Sequence, residues 1–315
     1  MSDARASSPL IRHASPARVH AALLTVAALF SLNYIISKIG MRVFHPLVFA
    51  YLRVVGSALV LQFVLPRDRA PITIEESRSL VGFALLGVVL NQTFFLTGLA
   101  FSSAHIAAIL ITTIPVFTLA AAIILGRERA TGMKIGGILL ALAGALLVVG
   151  AEGLEGTRRS TIGAILITLN CLSYALYLVL SKPLMARLSA RRVIRRMFVV
   201  AAIIMIPIAA VPLVRQQWSA IPPRAWLVLA LVIAGPTVVA YLLNAWALAH
   251  AESSLVAAYT YVQPFLTAIL AAIFLHEQIR GVVAIAAALI FAGVYMSGRP
   301  APPAARVEAV PGNPD

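Results

Sequence analysis

Ten apolar blocks run along the chain, at 18–37, 46–65, 80–99, 104–125, 132–150, 160–180, 197–214, 224–249, 254–275 and 281–298. Each approaches the stretch of about 20 apolar residues that a helix needs to cross a bilayer. Several polar connections are only a few residues long, so neighbouring helices must run antiparallel as hairpins. The pattern predicts an all-α integral membrane protein with ten transmembrane helices. The first block is too long, and in its second half (SLNYIISK) too polar, for a cleaved signal peptide, and no A-x-A pattern follows it. It is expected to stay in the mature protein. Residues 1–16 (small, polar and basic) and 299–315 (Pro- and Ala-rich) read as disordered tails.

The blocks also repeat. A displacement of 149 residues sets SSAHIAAILITTIPVFTLAAAIILGRE on ESSLVAAYTYVQPFLTAILAAIFLHEQ, pairing Pro115 with Pro264, Thr118 with Thr267, Glu128 with Glu277 and Gly144 with Gly293. A displacement of 144 pairs Ser37-Lys38 with Ser181-Lys182. Apolar stretches match one another cheaply, whereas aligned Pro, Glu and Gly at one spacing do not. The expected organisation is a five-helix repeat over 17–151, a linker at 152–159 and a second five-helix repeat over 160–298. Because five is odd, the second repeat must cross in the opposite direction. Inverted repeats of this kind characterise secondary transporters, with the substrate site near the midplane where the halves meet.

Composition removes the other classes. Apolar residues make up 61% and charged residues 11%, against about 45–50% and 25% in soluble domains, and the mean hydropathy is +0.96. A net charge of +14 would suggest nucleic acid in a soluble protein, but the basic residues lie between the apolar blocks. Seventeen fall on the side of the termini and seven on the other, which predicts cytoplasmic termini in a bacterial inner membrane. The SARRVIRR cluster at 189–196 reads as a topology anchor that meets anionic lipid. Cys171 stands alone and the Asp residues are Asp3, Asp68 and Asp315, so neither a metal site nor a cofactor is expected. P-loop, H-E-x-x-H and G-x-S-x-G patterns are absent, which speaks against an ATP-driven engine and against an enzyme. The expected partners are a small-molecule solute and membrane lipid, with no nucleic acid; monomer and homodimer both stay open.

Polar side chains inside a bilayer should turn inward. Asn170, Tyr174, Tyr177 and Ser181 form one helical stripe, and their repeat partners Val26, Phe30, Asn33 and Ser37 form another. Thr237, Tyr241, Asn244 and Leu248 line a third, whose counterpart places Gln92 opposite Tyr241. In the ninth span Tyr259 and Gln263 share a face. Asn33, Gln92, Asn170, Tyr174, Tyr177, Tyr241, Asn244, Tyr259 and Gln263 are therefore the expected cavity residues, with interhelical hydrogen bonding as the competing use. Pro115 and Pro264 free carbonyls in helices that would close the site. Arg53 lies within a span, about 10 Å along its helix from Pro46; its expected partners are carbonyls, Asn, a substrate carboxylate or lipid phosphate. Lys38 and Lys182 end repeat-equivalent spans, as interface anchors or gating residues. Glu128 and Glu277 read as helix-end anchors, and His105 and His250 lie near the two mouths. Gly132 to Gly136 is a G-x-x-x-G motif expected to pack spans within one subunit.

The ordered motifs NYIISK (33–38), HPLVFAYLR (45–53), NQTFFLTGLA (91–100), IPVF (114–117) with GRE (126–128), and YVQPF (261–265) with LHE (275–277) resemble the EamA family of the drug/metabolite transporter superfamily, over about residues 18–298. The resemblance implies a ten-helix inner-membrane carrier, usually exporting amino acids or other small metabolites through a cavity lined by both halves. FSLNY stands where many members carry a Trp-Gly pair, and the membrane-embedded glutamate of the small multidrug members is missing. Nucleotide sugars, sugar phosphates and lipid-linked solutes are the competing cargoes within the superfamily.

Overall fold

The computed structural model describes residues 15–66, 73–126, 130–155, 157–250, 259–276 and 281–297. Among the described residues the chain is helical, with no strand. Helix α1 is Pro16–Gly40, with Ser15 at its N-cap and a proline in the first turn, where a missing N–H costs nothing. Helix α2 is Pro46–Val64, capped by the His45 side chain, which accepts from the Leu47 N–H. Helix α3 is Ile74–Ala84, opened by a reciprocal Thr73/Glu76 capping box. It passes through a π-helical segment, Leu85–Leu90, into α4, Asn91–Phe101.

Helices α5 (Ala104–Ile111) and α6 (Ile114–Ile124) are two pieces of one span, parted at Thr112 and Thr113 just before Pro115. Helix α7 is Gly132–Glu155 and α8 is Arg158–Leu188. Ser189, at φ +65°, turns the chain into α9, Ala190–Arg215. Helix α10, Pro223–Val232, leads through a second π segment, Ile233–Val239, into α11, Ala240–His250. A 3-10 turn, Tyr259–Tyr261, precedes α12, Val262–Leu275, and α13 is Gly281–Ser297.

Among the described residues, seven helical runs are long and apolar enough to cross a membrane: Ala17–Gly40, Pro46–Val64, Ile74–Phe101, Ala104–Ile124, Arg158–Ser181, Arg191–Arg215 and Pro223–Asn244. The three remaining blocks carry the shorter apolar helices Gly132–Leu147, Val262–Leu275 and Ala284–Gly293. Large apolar side chains point away from the bundle, with Phe63, Ile124 and Val214 each more than four-fifths exposed. In water such surface would cost about 25 cal/mol per Å2; against lipid chains it costs nothing. Of the two expected tails, only Ser15 and Pro16 lie within the described residues. Glu128 and Glu277 lie outside them.

Close packing recurs at positions 149 residues apart. A Cβ on Gly144 would stand 2.8 Å from the Ala286 carbonyl and from Ile290, and a Cβ on Gly293 would stand 2.5 Å from the backbone of Gly137 and Ala141. Gly137 and Ala141 are the 149-residue counterparts of Ala286 and Ile290, so α7 and α13 meet through reciprocal contacts. Gly136 of the G-x-x-x-G motif faces Met296 of α13, whereas Gly132 has no heavy atom within 4 Å of where a Cβ would stand. The π segments also coincide, since Leu85 displaced by 149 is Ala234, inside the second one. Each inserts an extra residue into a helical turn and loosens the carbonyl ladder, a feature frequent at functional sites.

Candidate functional site

The second π segment holds a charge in the interior. Pro236 has no N–H to give the Val232 carbonyl one turn back. The Thr237 hydroxyl donates to that carbonyl at 2.8 Å, and the same oxygen accepts from Nε of Arg53 on α2 at 2.8 Å. Arg53 is 2% exposed. A guanidinium at this depth is costly unless hydrogen-bonded or paired. The side chains that face it are neutral, Thr237 and Tyr241, and no carboxylate stands against it among the described residues. Its Nη1 is buried with no hydrogen-bond partner.

Tyr241 of α11 connects Arg53 of α2 with Gln92 of α4. Its hydroxyl interacts with the Arg53 charge and the Gln92 side chain, and it lies within electrostatic reach of Tyr174 and Tyr177. Gln92 and Tyr241, 149 positions apart in the chain, meet. Phe30 and Phe198 stand edge-on to the Tyr241 ring, at centroid distances of 6.3 and 5.7 Å. Tyr174 and Tyr177 lie 5.6 Å apart, and Tyr177 bonds Ser181 one turn on. Oε1 of Gln92 and the Ser57 hydroxyl are buried without hydrogen-bond partners.

The first π segment is tied differently. The Ser173 hydroxyl of α8 donates to the Leu86 carbonyl at 2.7 Å, and Nδ2 of Asn170 donates to the Asn91 carbonyl at 2.8 Å. Asn170 therefore serves as helix glue through its nitrogen, while its Oδ1 is buried without a partner.

The other expected cavity residues are spread more widely. Asn33 accepts from the Ser37 hydroxyl at 3.1 Å, and Asn244 is half-buried one turn beyond Tyr241. Gln263 is buried where α12 meets α1, its carbonyl 3.4 Å from the Ser31 hydroxyl. Tyr259 stands apart: it is hydrogen-bonded to His20 near the start of α1 and packs with Val19, Leu23, Trp246 and Ala247. One helix through 254–275 would have put Tyr259 and Gln263 on one face, but the 3-10 turn at Tyr259–Tyr261 changes the angle per residue and parts them.

Pro115 sits in the first turn of α6, and the hydroxyls of Thr112 and Thr113 donate to the Ile109 and Leu110 carbonyls. Pro264 occupies the first turn of α12. Lys38 is half-buried in the last turn of α1, and His105 is buried beside Ser103. The side chains of Lys182 and His250 lie outside the described residues. Within the basic cluster, Nη1 of Arg195 donates to the Pro66 carbonyl at 2.7 Å, tying α9 to the end of α2; just before it, Arg187 pairs with Glu76 at 3.3 Å.

At the opposite end, a groove of about 490 Å3 is lined by Val43, His45, Val211, Pro212, Arg215 and Gln216 among others. Gln216 closes its floor, accepting from the His45 N–H at 3.0 Å and donating to the Val43 carbonyl at 3.2 Å. Partial burial holds the His45 imidazole below its ordinary pKa. The sequence singled out Arg53, Tyr241 and Gln92, but the bonds made by Thr237, Ser173 and Gln216 went unread. For Thr237 two signals stood in the sequence, its place on the stripe of Tyr241 and the Pro-Thr pair in mid-span.

The EamA-like transporter family matches residues 18–150 and again 161–299. An uncharacterized transporter of Archaeoglobus fulgidus is 29% identical over 89% of this chain and 97% of its own length. A probable amino-acid metabolite efflux pump of Escherichia coli is 24% identical over 87% of this chain and 92% of its own. The Arabidopsis thaliana protein WALLS ARE THIN 1 is 25% identical over 88% and 82%. A solved structure superposes with a TM-score of 0.61 at 18% identity, over 90% of this chain and 98% of that one, which is a likeness of fold. Apolar helices long enough to span a bilayer and two successive matches to a transporter family make this an integral multi-pass membrane protein, and the chain belongs to the EamA-like transporter family.

Proposed function

We propose that the chain is a secondary carrier that exports an amino acid or a related small metabolite by alternating access, with its termini in the cytoplasm of a bacterial inner membrane. Its two five-helix halves are inverted repeats that rock about a central polar cluster. The observation that carries the reading is that cluster. Arg53, Gln92, Thr237 and Tyr241 come from both halves, interact inside an otherwise apolar bundle, and retain buried polar atoms without protein partners. The reciprocal Gly144 and Gly293 contacts and the two coincident π segments support the repeat. The efflux pumps among its relatives favour amino-acid metabolites as cargo.

Accelerated counterflow in proteoliposomes tests this, across a panel of amino acids, sugar phosphates and nucleosides at two pH values. Saturable exchange of an amino acid is expected. Exchange of sugar phosphates alone would move the protein to the other cargo class, and linear, non-saturating flux would make it a channel.

A further inference from the structure

The geometry points to Arg53 as the residue that selects for a carboxylate on the transported solute, with Thr237 as the residue that positions it; this rests on the carrier reading above. A buried guanidinium normally spends its donors on a carboxylate or on carbonyls, because leaving them bare in low dielectric is costly. Here Nε is fixed by Thr237, whose own hydrogen is committed to the Val232 carbonyl, while Nη1 is left bare. The guanidinium is thereby anchored at Nε, and Tyr241 lies within electrostatic reach of it. A structural arginine would be saturated by the fold; this one is held in place and left short of an acceptor. Proteins keep such unmet polar groups where function uses them.

The groups around Tyr241 suit the rest of the ligand. Oε1 of Gln92, whose side chain meets Tyr241, is an acceptor without a donor, suited to an ammonium or hydroxyl carried beside the carboxylate. The rings of Phe30, Tyr174, Tyr177 and Phe198 around Tyr241 suit an apolar or aromatic body. A single cation matches a monoanionic carboxylate better than a dianionic phosphate.

The test is counterflow of labelled L-phenylalanine and L-threonine by the full chain in proteoliposomes. The competitors are each amino acid's carboxamide, its decarboxylated amine, and phenyl phosphate. Wild type should prefer the carboxylate to its amide by about 10-fold to 100-fold, the range for a hydrogen bond to a charged group. Arg53→Met should abolish that preference while melting at the same temperature or higher, because a methionine of similar length removes an unpaired buried charge. Thr237→Val should raise KM for the carboxylate with little change in kcat, and Thr237→Ser should restore it.

Three outcomes would overturn the assignment: a wild type that exchanges amide and carboxylate equally, a wild type that is better inhibited by phenyl phosphate, or an Arg53→Met variant that keeps the preference. The wild-type measurements decide even if a variant does not fold. Failure of the wild type to exchange anything in the amino-acid, sugar-phosphate and nucleoside panel would instead remove the carrier reading beneath it.

Discussion

The two π segments occupy equivalent places in the chain and are put to opposite uses. The loosened carbonyls around Leu85–Leu90 are met by neutral groups of a neighbouring helix, the Ser173 hydroxyl and the Asn170 amide. At Ile233–Val239 the Val232 carbonyl is met from within by Thr237, and that hydroxyl then holds a charge from α2. One segment is glued shut; the other is a bracket for a guanidinium. The same backbone irregularity therefore does not by itself mark a binding site. What distinguishes the two is whether the group that satisfies the carbonyl also holds a charge.

Packing shows the same asymmetry and yields the largest expected effect. A Cβ on Gly87, in the first segment, would stand 2.7 Å from the Tyr177 ring, whereas one on Gly235, in the second, would stand 3.4 Å from the end of Leu29. Gly87→Ala should destabilise by about 1–3 kcal/mol, the usual cost of overpacking. Gly235→Ala should stay within about 0.5 kcal/mol, the level of a tolerated surface change. Thermal unfolding of the two variants in the same detergent checks this. Equal losses would mean that both segments are equally close-packed, and the comparison would collapse.

Hydrogen-bond deletions give the next effect. Ser173→Ala and Asn170→Ala each remove one bond to a backbone carbonyl, and each should cost about 0.5–1.5 kcal/mol. Ser173→Ala should leave the choice of cargo unchanged, because Ser173 has no part in the Arg53 cluster. Counterflow specificity beside the melting curve checks it, and altered selectivity in Ser173→Ala would give the first segment a share in recognition.

The helices, their order and most of the central residues were legible because lipid makes the code simple: apolar length marks a span, and a polar residue within it demands a reason. Arg53, Gln92 and Tyr241 stood out on that ground and do meet. The π segments were not legible. Over six or seven apolar residues such as LLGVVL, a period of 3.6 and a slightly longer one produce the same pattern. Ser173 was lost for a related reason, since it lies just off the stripe of Asn170 and Tyr174 and its partner is a carbonyl, which has no sequence signature. Tyr259 meets His20 and Trp246 because a three-residue 3-10 turn, which has no sequence signature, breaks the helical periodicity between it and Gln263.

The smallest effect lies outside both segments, at the mouth, and bounds the comparison from there. His45 caps α2 through Nδ1, which must be unprotonated to accept from the Leu47 N–H, 3.3 Å away. Burial holds its folded pKa below the ordinary 6.5, so the fold favours the neutral ring. The unfolded chain takes up the proton first as pH falls. The contribution of His45 is therefore complete above pH 6.5 and is lost as pH drops through the lower folded value. Wild type should melt slightly lower at pH 5.5 than at 7.5. His45→Asn, which caps without titrating, should lose that His45 component, while Gln216→Ala, which unties the same mouth, should keep it. Neither should change the preference for a carboxylate, because neither touches Arg53 or Thr237. If His45→Asn did alter that preference, the charge in the second π segment would be read through the mouth, and the contrast between the two segments would no longer be local.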